Sequence, residues 1–501
     1  MSFDQVAPPR VATRARRRPI VPSLAKIRVL AEREAAVIAV VAFYAVALLT
    51  VLPSMVVQDS WLALVSGREV FEHGLPHTDT LAAWSAGTEW IDQQWLGQVV
   101  LYGVASVGGI QLSLLAHLAL LVAGFGGALA ASRSLGASTR SAALGGMLCM
   151  FVAPWGLQMR TQTLAVPLFV ALLWLLAADS RAPSRRVLLV LPLLVLWANV
   201  HGTVVLAAVL VALRGLTLGF TALRARQRPG AISLALVALP FACLFASPYG
   251  TALGGYYRTM LVSPVLRDYV QEWGASLPSV STLGFYLLGA VVLALLVRHR
   301  SRLTAFEQLA LLGLLAAGGS AIRSITWFAL AAAVLLPVLL DGHFTERRPS
   351  RDWSGVRRAS VAVALTAVVV SLVVTAARPA SWWTDGWPTA GAERVAALVA
   401  ERPGARVFAD DRYADWLVWE QPHLAGRIAY DVRFELLTRA QLERLVAFRG
   451  RTGGDWLAAI RGYDVLLLDE ADQPTLAREI RKAGGFEVAY RDRRVAVLAA
   501  R

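Results

Sequence analysis

"AVIAVVAFYAVALLTVLPSMVVQDSWLALVSGREVFEHG", residues 36–74, runs uncharged as far as Val57 and then, within two positions, enters a segment carrying Asp59, Arg68, Glu69 and Glu72. About 20 consecutive apolar residues are what a helix needs to cross the hydrocarbon core. The run at 36–57 is too long for the apolar part of a signal peptide, and no small-x-small cleavage site follows it. It is therefore expected to remain as a first membrane span, with a polar segment rich in tryptophan (Trp61, Trp84, Trp90, Trp95) pressed directly against its end.

The rest of the chain is equally apolar. Its 501 residues are 56% hydrophobic and only 17% charged, against about a quarter charged in soluble proteins. Cys149 and Cys243 each lie inside an apolar run and read as small buried hydrophobes, which excludes a disulfide framework or a cysteine metal site. The net charge of +15 is not the footprint of nucleic acid binding. Basic residues fall in short pieces between apolar runs, "RARRR", "SRAPSRR", "RARQRPG", "RHRSR" and "ERRPSRDWSGVRR", and that pattern reports membrane topology.

Spans are expected near 36–57, 109–131, 141–157, 162–178, 187–199, 202–222, 231–247, 281–297, 305–319, 325–340 and 360–376, about 11 in all. With a cytoplasmic N-terminus, residues 1–35, this threading puts every arginine-rich connector inside. It puts outside the first outer loop, 58–108, together with "MRTQT" at 159–163, "NVHG" at 199–202, residues 247–279 and "AIRS" at 321–324. Polar groups at the membrane edge are costly and usually line a functional cavity. After the transmembrane domain, 36–376, the character changes. "RVFAD", "RIAYD", "DVLLLD", "FEVAY" and "RRVAVLAA" read as strands, "TRAQLERLVAFRG" and "QPTLAREIRKAGG" as helices. Residues 377–501 are thus expected to form a small extracytoplasmic α/β domain, without a glycine-rich phosphate loop and without an internal repeat along the chain. The whole is a multi-pass protein of the plasma membrane.

Several outer residues invite two readings each. Asp59, at the start of an amphipathic interfacial helix, suits a helix N-cap or a general base whose pKa is lifted by partial withdrawal from water. Arg160, Arg258, Arg267 and Arg323 lie outside beside spans, where guanidinium forks suit phosphate oxygens; the alternatives are snorkelling to lipid headgroups and pairing with Asp268 or Glu272. His201 would contact substrate or cap helix ends. Tyr249 and Trp273 would offer an aromatic face or anchor the interface. His73 and His77 beside Asp79 suggest a metal, at a spacing that matches no standard zinc motif. Asp410, Asp411, Asp415, Asp431 and Arg433 cluster in the last domain, as surface caps and ion pairs or as an acceptor site.

The segment "DSWLALVSGREVFEHGLPHTDTLAAWSAGTEWIDQQWLGQVVLY" is similar to the first extracytoplasmic loop of a group of bacterial membrane proteins placed with the GT-C glycosyltransferases, the class of protein O-mannosyltransferases and lipid A aminoarabinose transferases. "RTQT", with Arg160 and Gln162, resembles the group's Arg-Pro-Gln or Arg-Pro-His turn. "WANVHG", with Asn199 and His201, resembles its Trp-x-Asn-x-His-Gly turn, and "SPYG" with "LRDYVQEW", carrying Tyr249, Glu272 and Trp273, its Asn-Pro-Tyr-Gly loop. "DDRYADWLVWE" and "RIAYDVRFEL" resemble its C-terminal region. The resemblance implies a GT-C fold, a polyprenyl-phosphate-linked sugar as donor, a glycan, lipid or protein as acceptor, and a catalytic acid just past the first span, which falls on Asp59. Asp79, Asp92, Gln162, Asn199 and Glu272 are further candidates for substrate contact. The family's second acid is absent, since Ser60 and Trp61 follow Asp59, and Gln94 stands where an acid is expected before Trp95. No certain cofactor is implied; a divalent cation remains open. A transporter or flippase of a lipid-linked or anionic substrate is the rival reading, and it predicts ionisable groups in mid-span and helices broken alike in two halves; a non-enzymatic envelope assembly protein is another.

Overall fold

The computed structural model describes residues 24–344 and 353–501, so most of the basic N-terminal stretch and residues 345–352 of the last basic connector lie outside the described residues. The chain enters through α1 (Leu24–Arg33) and α2 (Ala35–Thr50), which meet at 79°. Next come α3 (Gln58–His73), α4 (Trp95–Ser134), α5 (Thr139–Cys149), α6 (Gln162–Arg181), α7 (Val190–Ala198), α8 (Val204–Arg224) and α9 (Ala231–Cys243). The bundle is completed by α10 (Leu253–Val262), α11 (Pro264–Tyr269), α12 (Leu283–His299), α13 (Ala305–Ser320), α14 (Ile325–His343) and α15 (Ser354–Ala376).

A helix stands at each expected span, but among the described residues only six are long and apolar enough to cross a membrane, or seven if the bent pair α1–α2 counts as one. The figure of about 11 is therefore not reached by length. α9 and α13 are apolar but short, with 13 and 16 residues, and α5 and α7 are shorter still. α14 is the axis of the bundle, with 78% of its most apolar stretch buried, whereas α15 lies at the margin with 11% buried and rests against α2. α4 is continuous except at Gly108 and Gly109, where the backbone leaves helical geometry and Gly109 takes φ 64°. The break divides an interfacial half beginning at Trp95 from the span expected at 109–131. The interfacial half packs directly on α3, and Gly67 permits the contact: a Cβ there would fall 2.3 Å from the Gln98 carbonyl oxygen.

The helix ends sort by charge. At one end the basic connectors are tied by acids: Arg133 donates to Glu34 at 2.7 and 2.8 Å, Arg181 to Glu307 at 2.7 Å, and Asp341 accepts from the Ser138 and Ser141 hydroxyls at 2.6 Å. At the other end the 159–163 turn, the 199–203 turn, residues 247–280 and the 321–324 turn converge beneath the C-terminal segment.

That segment contains α16 (Ala380–Trp383), α17 (Thr389–Glu401), β1 (Val407–Ala409), α18 (Asp411–Glu420), α19 (Arg439–Gly450), β2 (Val465–Asp469), α20 (Leu476–Ala483), β3 (Phe486–Arg491) and β4 (Val495–Ala500). The sheet runs β1-β2-β4-β3, with β1 and β2 parallel and the other pairs antiparallel. Strand alternation splits its core: Phe408, Leu466, Leu468 and Leu498 pack under α19 and α20, while Val407, Leu467, Val497 and Ala499 join the core continuous with the bundle. "RIAYD" forms no full strand. Ile428 instead bridges Val407 on one side and Ala82 of the first loop on the other, so that the Ala83 and Trp84 N–H groups donate to the Ile428 and Ala429 carbonyls at 2.8 and 2.9 Å. The first loop thereby extends the sheet edge. α18 also packs on α3, where Trp61 meets Trp419 at 6.2 Å and Arg68 donates to the Val418 carbonyl.

Candidate active site

Asp59 sits in the first turn of α3, one residue past its start, and the N-cap position belongs to Val57. Its neighbour does the local fastening: the Ser60 hydroxyl accepts from the Val57 N–H at 3.0 Å and donates to the Met159 carbonyl at 2.5 Å. The Met159 N–H in turn donates to the Met55 carbonyl, so the chain around Asp59 and the turn carrying Arg160 are laced together. Arg160 Nη2 consequently lies 3.0 Å from Asp59 Oδ2, and its two Nη atoms also donate to Glu272 at 2.7 Å each. One guanidinium thus holds two carboxylates in place.

Glu272 and Trp273 are carried by a 3₁₀ turn, Gln271–Trp273, which is pinned to the 321–324 turn by the Ile322 N–H donating to Gly274 O and the Ser276 N–H donating to Gly319 O. This places the Arg323 guanidinium 4.2 Å above the Trp273 ring. Among the described residues Arg323 has no carboxylate partner, so its fork remains available, in contrast with that of Arg160. His201 Nδ1 accepts from the Thr203 N–H at 3.2 Å, which leaves Nε2 as the protonated nitrogen. Burial and the nearby Arg323 and Arg160 charges push its pKa down to about 3, so the ring is neutral.

These residues border two spaces that share a wall. A polar cavity of about 710 Å³ is lined by Asp59, Gln94, Arg160, Gln162 and Glu272 from the bundle, and by Asp411, Arg433, Glu435, Arg449 and Asp472 from the C-terminal segment. A second, apolar space of about 530 Å³ runs between α8, α10 and α14 past Val205, Leu206, Val209, Leu261 and Trp327. His201, Tyr256, Met260, Trp273 and Arg323 form the wall common to both. Burial raises the Asp59 carboxyl above the usual range against the pull of Arg160. About a third of its side chain still faces the cavity, 36%, so cavity water moderates that shift. Burial also acts to raise Glu272, but the paired Arg160 outweighs it and the net shift is downward.

Asp59, Arg160, Gln162, His201, Glu272, Trp273 and Arg323 are therefore gathered at one place. Other candidates serve the scaffold. Asp79 is buried and accepts from Arg433 at 2.7 Å, the Leu81 N–H and the Ser85 hydroxyl. Asp92 is buried outside the cavity lining, with burial raising its pKa to about 7. Asn199 spends both amide hydrogens on the Val195 and Ala246 carbonyls and accepts from Trp95 Nε1, and Tyr249 donates to the Pro76 carbonyl at 2.8 Å. Arg258 is exposed on α10 away from both spaces; Arg267 lies on α11, and its side chain is outside the described residues. His73 faces Glu69 at 3.2 Å and His77 the Tyr249 ring. Among the described residues no three of His, Cys, Asp or Glu are grouped to hold a metal ion.

Three cavity residues, Tyr256, Met260 and Glu435, carry no candidate role in the sequence, and Gln94 is marked there only as a departure from the resemblance. Tyr256 and Met260 come from α10, inside what reads as one long outer connector. Gln94, at the place where an acid is expected, accepts instead from the Thr161 hydroxyl. Glu435 stands two residues beyond Arg433 in "DVRFEL"; the available signal is a charged pair in a segment that otherwise buries its side chains.

The fold, a helix bundle whose broken turns border a polar cavity and an apolar groove beneath a small α/β unit, is shared with two solved structures. ArnT from Cupriavidus metallidurans bound to undecaprenyl phosphate aligns over 95% of this chain and 98% of its own, with a TM-score of 0.53 at 14% identity. The oligosaccharyltransferase of Archaeoglobus fulgidus in the apo form aligns over 88% of this chain and 70% of its own, with a TM-score of 0.50 at 12% identity. No family model and no curated protein matches the sequence.

Proposed function

We propose that this chain is a membrane glycosyltransferase that moves a sugar from a polyprenyl-phosphate-linked donor to an acceptor outside the cytoplasm. The observation that carries this reading is the common wall of the two spaces. An amphiphilic donor needs an apolar groove for its chain, a cation at the groove's mouth for its phosphate, and a polar chamber for its sugar, in that order. The groove beside α8 and α14, Arg323 on Trp273, and the chamber around Asp59 follow it. The similarity to a protein crystallised with undecaprenyl phosphate supports the same choice of lipid.

In the reaction Asp59 takes the proton of an acceptor hydroxyl, the freed oxygen attacks the anomeric carbon, and the bond from that carbon to the phosphate oxygen breaks with inversion. Polyprenyl phosphate leaves with the electron pair. Its charge falls beside Arg323, where a charge-assisted fork is strongest away from bulk water. Arg160 is assigned to holding Asp59 and Glu272 rather than to the phosphate, because its Nη atoms are already engaged.

Mass spectrometry of lipid-linked sugars and envelope glycans, with and without the gene, tests the reading. A lipid-linked monosaccharide that accumulates in the deletion strain, with loss of that sugar from an envelope component, is expected. Unchanged profiles overturn it. The orientation follows the arginine distribution, with 341–358 cytoplasmic and 377–501 outside the plasma membrane. Externally added thiol reagent should label cysteines introduced in the last segment and spare those at 341–358; the opposite pattern inverts the site.

A further inference from the structure

Four arginines line the polar cavity, and three of them are paired with carboxylates. Arg160 holds Asp59 and Glu272, Arg449 pairs with Asp411, Arg433 holds Asp431 and Asp79, and Arg323 lies on Trp273. Glu435 lines the same cavity and, among the described residues, enters no ion pair and accepts from no other side chain; only its own backbone N–H and the Arg433 charge steady its carboxylate. Its placement is not casual. Two residues earlier, Arg433 is 3% exposed, stacks 4.2 Å from the Trp90 ring and ties the C-terminal segment to Asp79 of the first loop at 2.7 Å. Beside it the Ala83 and Trp84 N–H groups complete the sheet edge. A buried ion-pair network thus presents one carboxylate to the cavity without a side-chain partner of its own. Withdrawing an ionisable group from water without a partner is unfavourable, and burial pushes the Glu435 carboxyl up to about 7. Glu435 and Asp59 sense one another's charge across the cavity, and Glu435 also acts on Tyr256 in the common wall, so it looks onto the place where donor and acceptor meet.

We propose that Glu435 is the acceptor-binding carboxylate: it accepts a hydrogen bond from a hydroxyl of the acceptor and so presents that molecule to Asp59, making the C-terminal segment the part of the chain that selects the acceptor. This rests on the transferase reading above. A carboxylate has acceptor capacity only, so the group it takes must be a donor, and a hydroxyl-bearing acceptor fits both ends of the reaction. The donor's phosphate is repelled by a carboxylate and stays at Arg323.

The test uses the full-length protein in membranes, with the lipid extract of the deletion strain as donor and its envelope extract, titrated, as acceptor. Glu435→Gln should raise the amount of envelope extract needed for half-maximal transfer by about tenfold, the equivalent of a lost charge-assisted hydrogen bond. The saturating rate should hold within about threefold, and binding of undecaprenyl phosphate to the purified protein should be unchanged. Glu435→Asp, which keeps the charge, should recover part of the loss. Asp59→Asn should do the reverse, lowering the saturating rate without moving the half-saturation point. A wild-type saturation curve for a well-folded Glu435→Gln overturns the assignment, and so does loss of undecaprenyl phosphate binding, which would place Glu435 on the donor side. If Glu435→Gln does not fold, the curve of Glu435→Asp decides, with an unshifted half-saturation point counting against the assignment. Absence of any transfer by the wild-type protein sinks the underlying transferase reading instead.

Discussion

The two ends of the helix bundle carry the same residue types and use them in opposite ways. At the basic end Glu34 meets Arg133, Glu307 meets Arg181 and Asp179 meets Arg214 at 2.8 Å, each acid closed by a cation from another helix. Glu307 is wholly buried and also accepts from the Thr304 N–H, which caps α13. At the other end Arg160 holds two acids, while Arg323 has only an aromatic ring and Glu435 has no side-chain partner among the described residues. Charge matched within the chain fastens helices; charge left unmatched around a cavity stays open to a ligand.

The contrast is testable by removing one charge at a time. Asp59→Asn should have the largest effect. Because Asp59 is inside the first turn and is not the cap of α3, the amide leaves the helix intact, and turnover should fall at least about a hundredfold in a protein that inserts normally. Full transfer by this variant would remove Asp59 from the chemistry. Arg323→Ala comes next: affinity for undecaprenyl phosphate should drop by roughly 1.5–3 kcal/mol, about ten- to more than a hundredfold, in a direct binding titration. Arg160→Ala should lower that affinity less and turnover more, and equal losses would erase the distinction drawn between the two arginines. At the closed end Glu307→Ala should leave substrate affinity and turnover alone but cost about 3 kcal/mol of stability, read as a lowered unfolding midpoint in detergent, because Arg181 loses its buried partner. An effect on turnover there would break the comparison.

The smallest expected effect is of pH on stability. Asp92, buried outside the cavity lining, has its pKa raised to about 7 by burial. The unfolded carboxyl titrates near about 4, so between these values the folded chain keeps a proton that the unfolded chain has lost. Stability should therefore fall as pH rises through that window, and thermal unfolding at pH 5 and pH 7.5 should show it. Asp92→Asn should flatten that part of the slope. Glu435 contributes in the same direction, so the double variant should be flatter still.

Much of this arrangement is legible in the sequence because placing charge in lipid is costly. The basic pieces between apolar runs mark one end of the bundle, and the polar turns holding Asp59, Arg160, His201, Glu272 and Arg323 mark the other. Their convergence follows from the alternation of spans. Span number is less legible: α9 and α13 are apolar but end after 13 and 16 residues, and composition does not record where a helix stops. Strand alternation found β1 to β4 but could not tell that "RIAYD" would be shared between β1 and the first loop. Glu435 is invisible for the same reason. Its role depends on contact between residues about 79–95 and 427–435, which only the packed chain brings together, and local pattern does not encode pairing at such a distance.

That sharing of Ile428 has a consequence for how the protein is made. The N–H groups of Ala83 and Trp84 find their acceptors on residues synthesised some 345 positions later. At a ribosome's rate of about 10 residues per second, roughly half a minute separates the emergence of the two. Throughout that interval the first loop stands at the membrane surface with an unfinished edge, and the cavity has no roof. A chain broken off before its last strands would leave that edge unpaired and the cavity open.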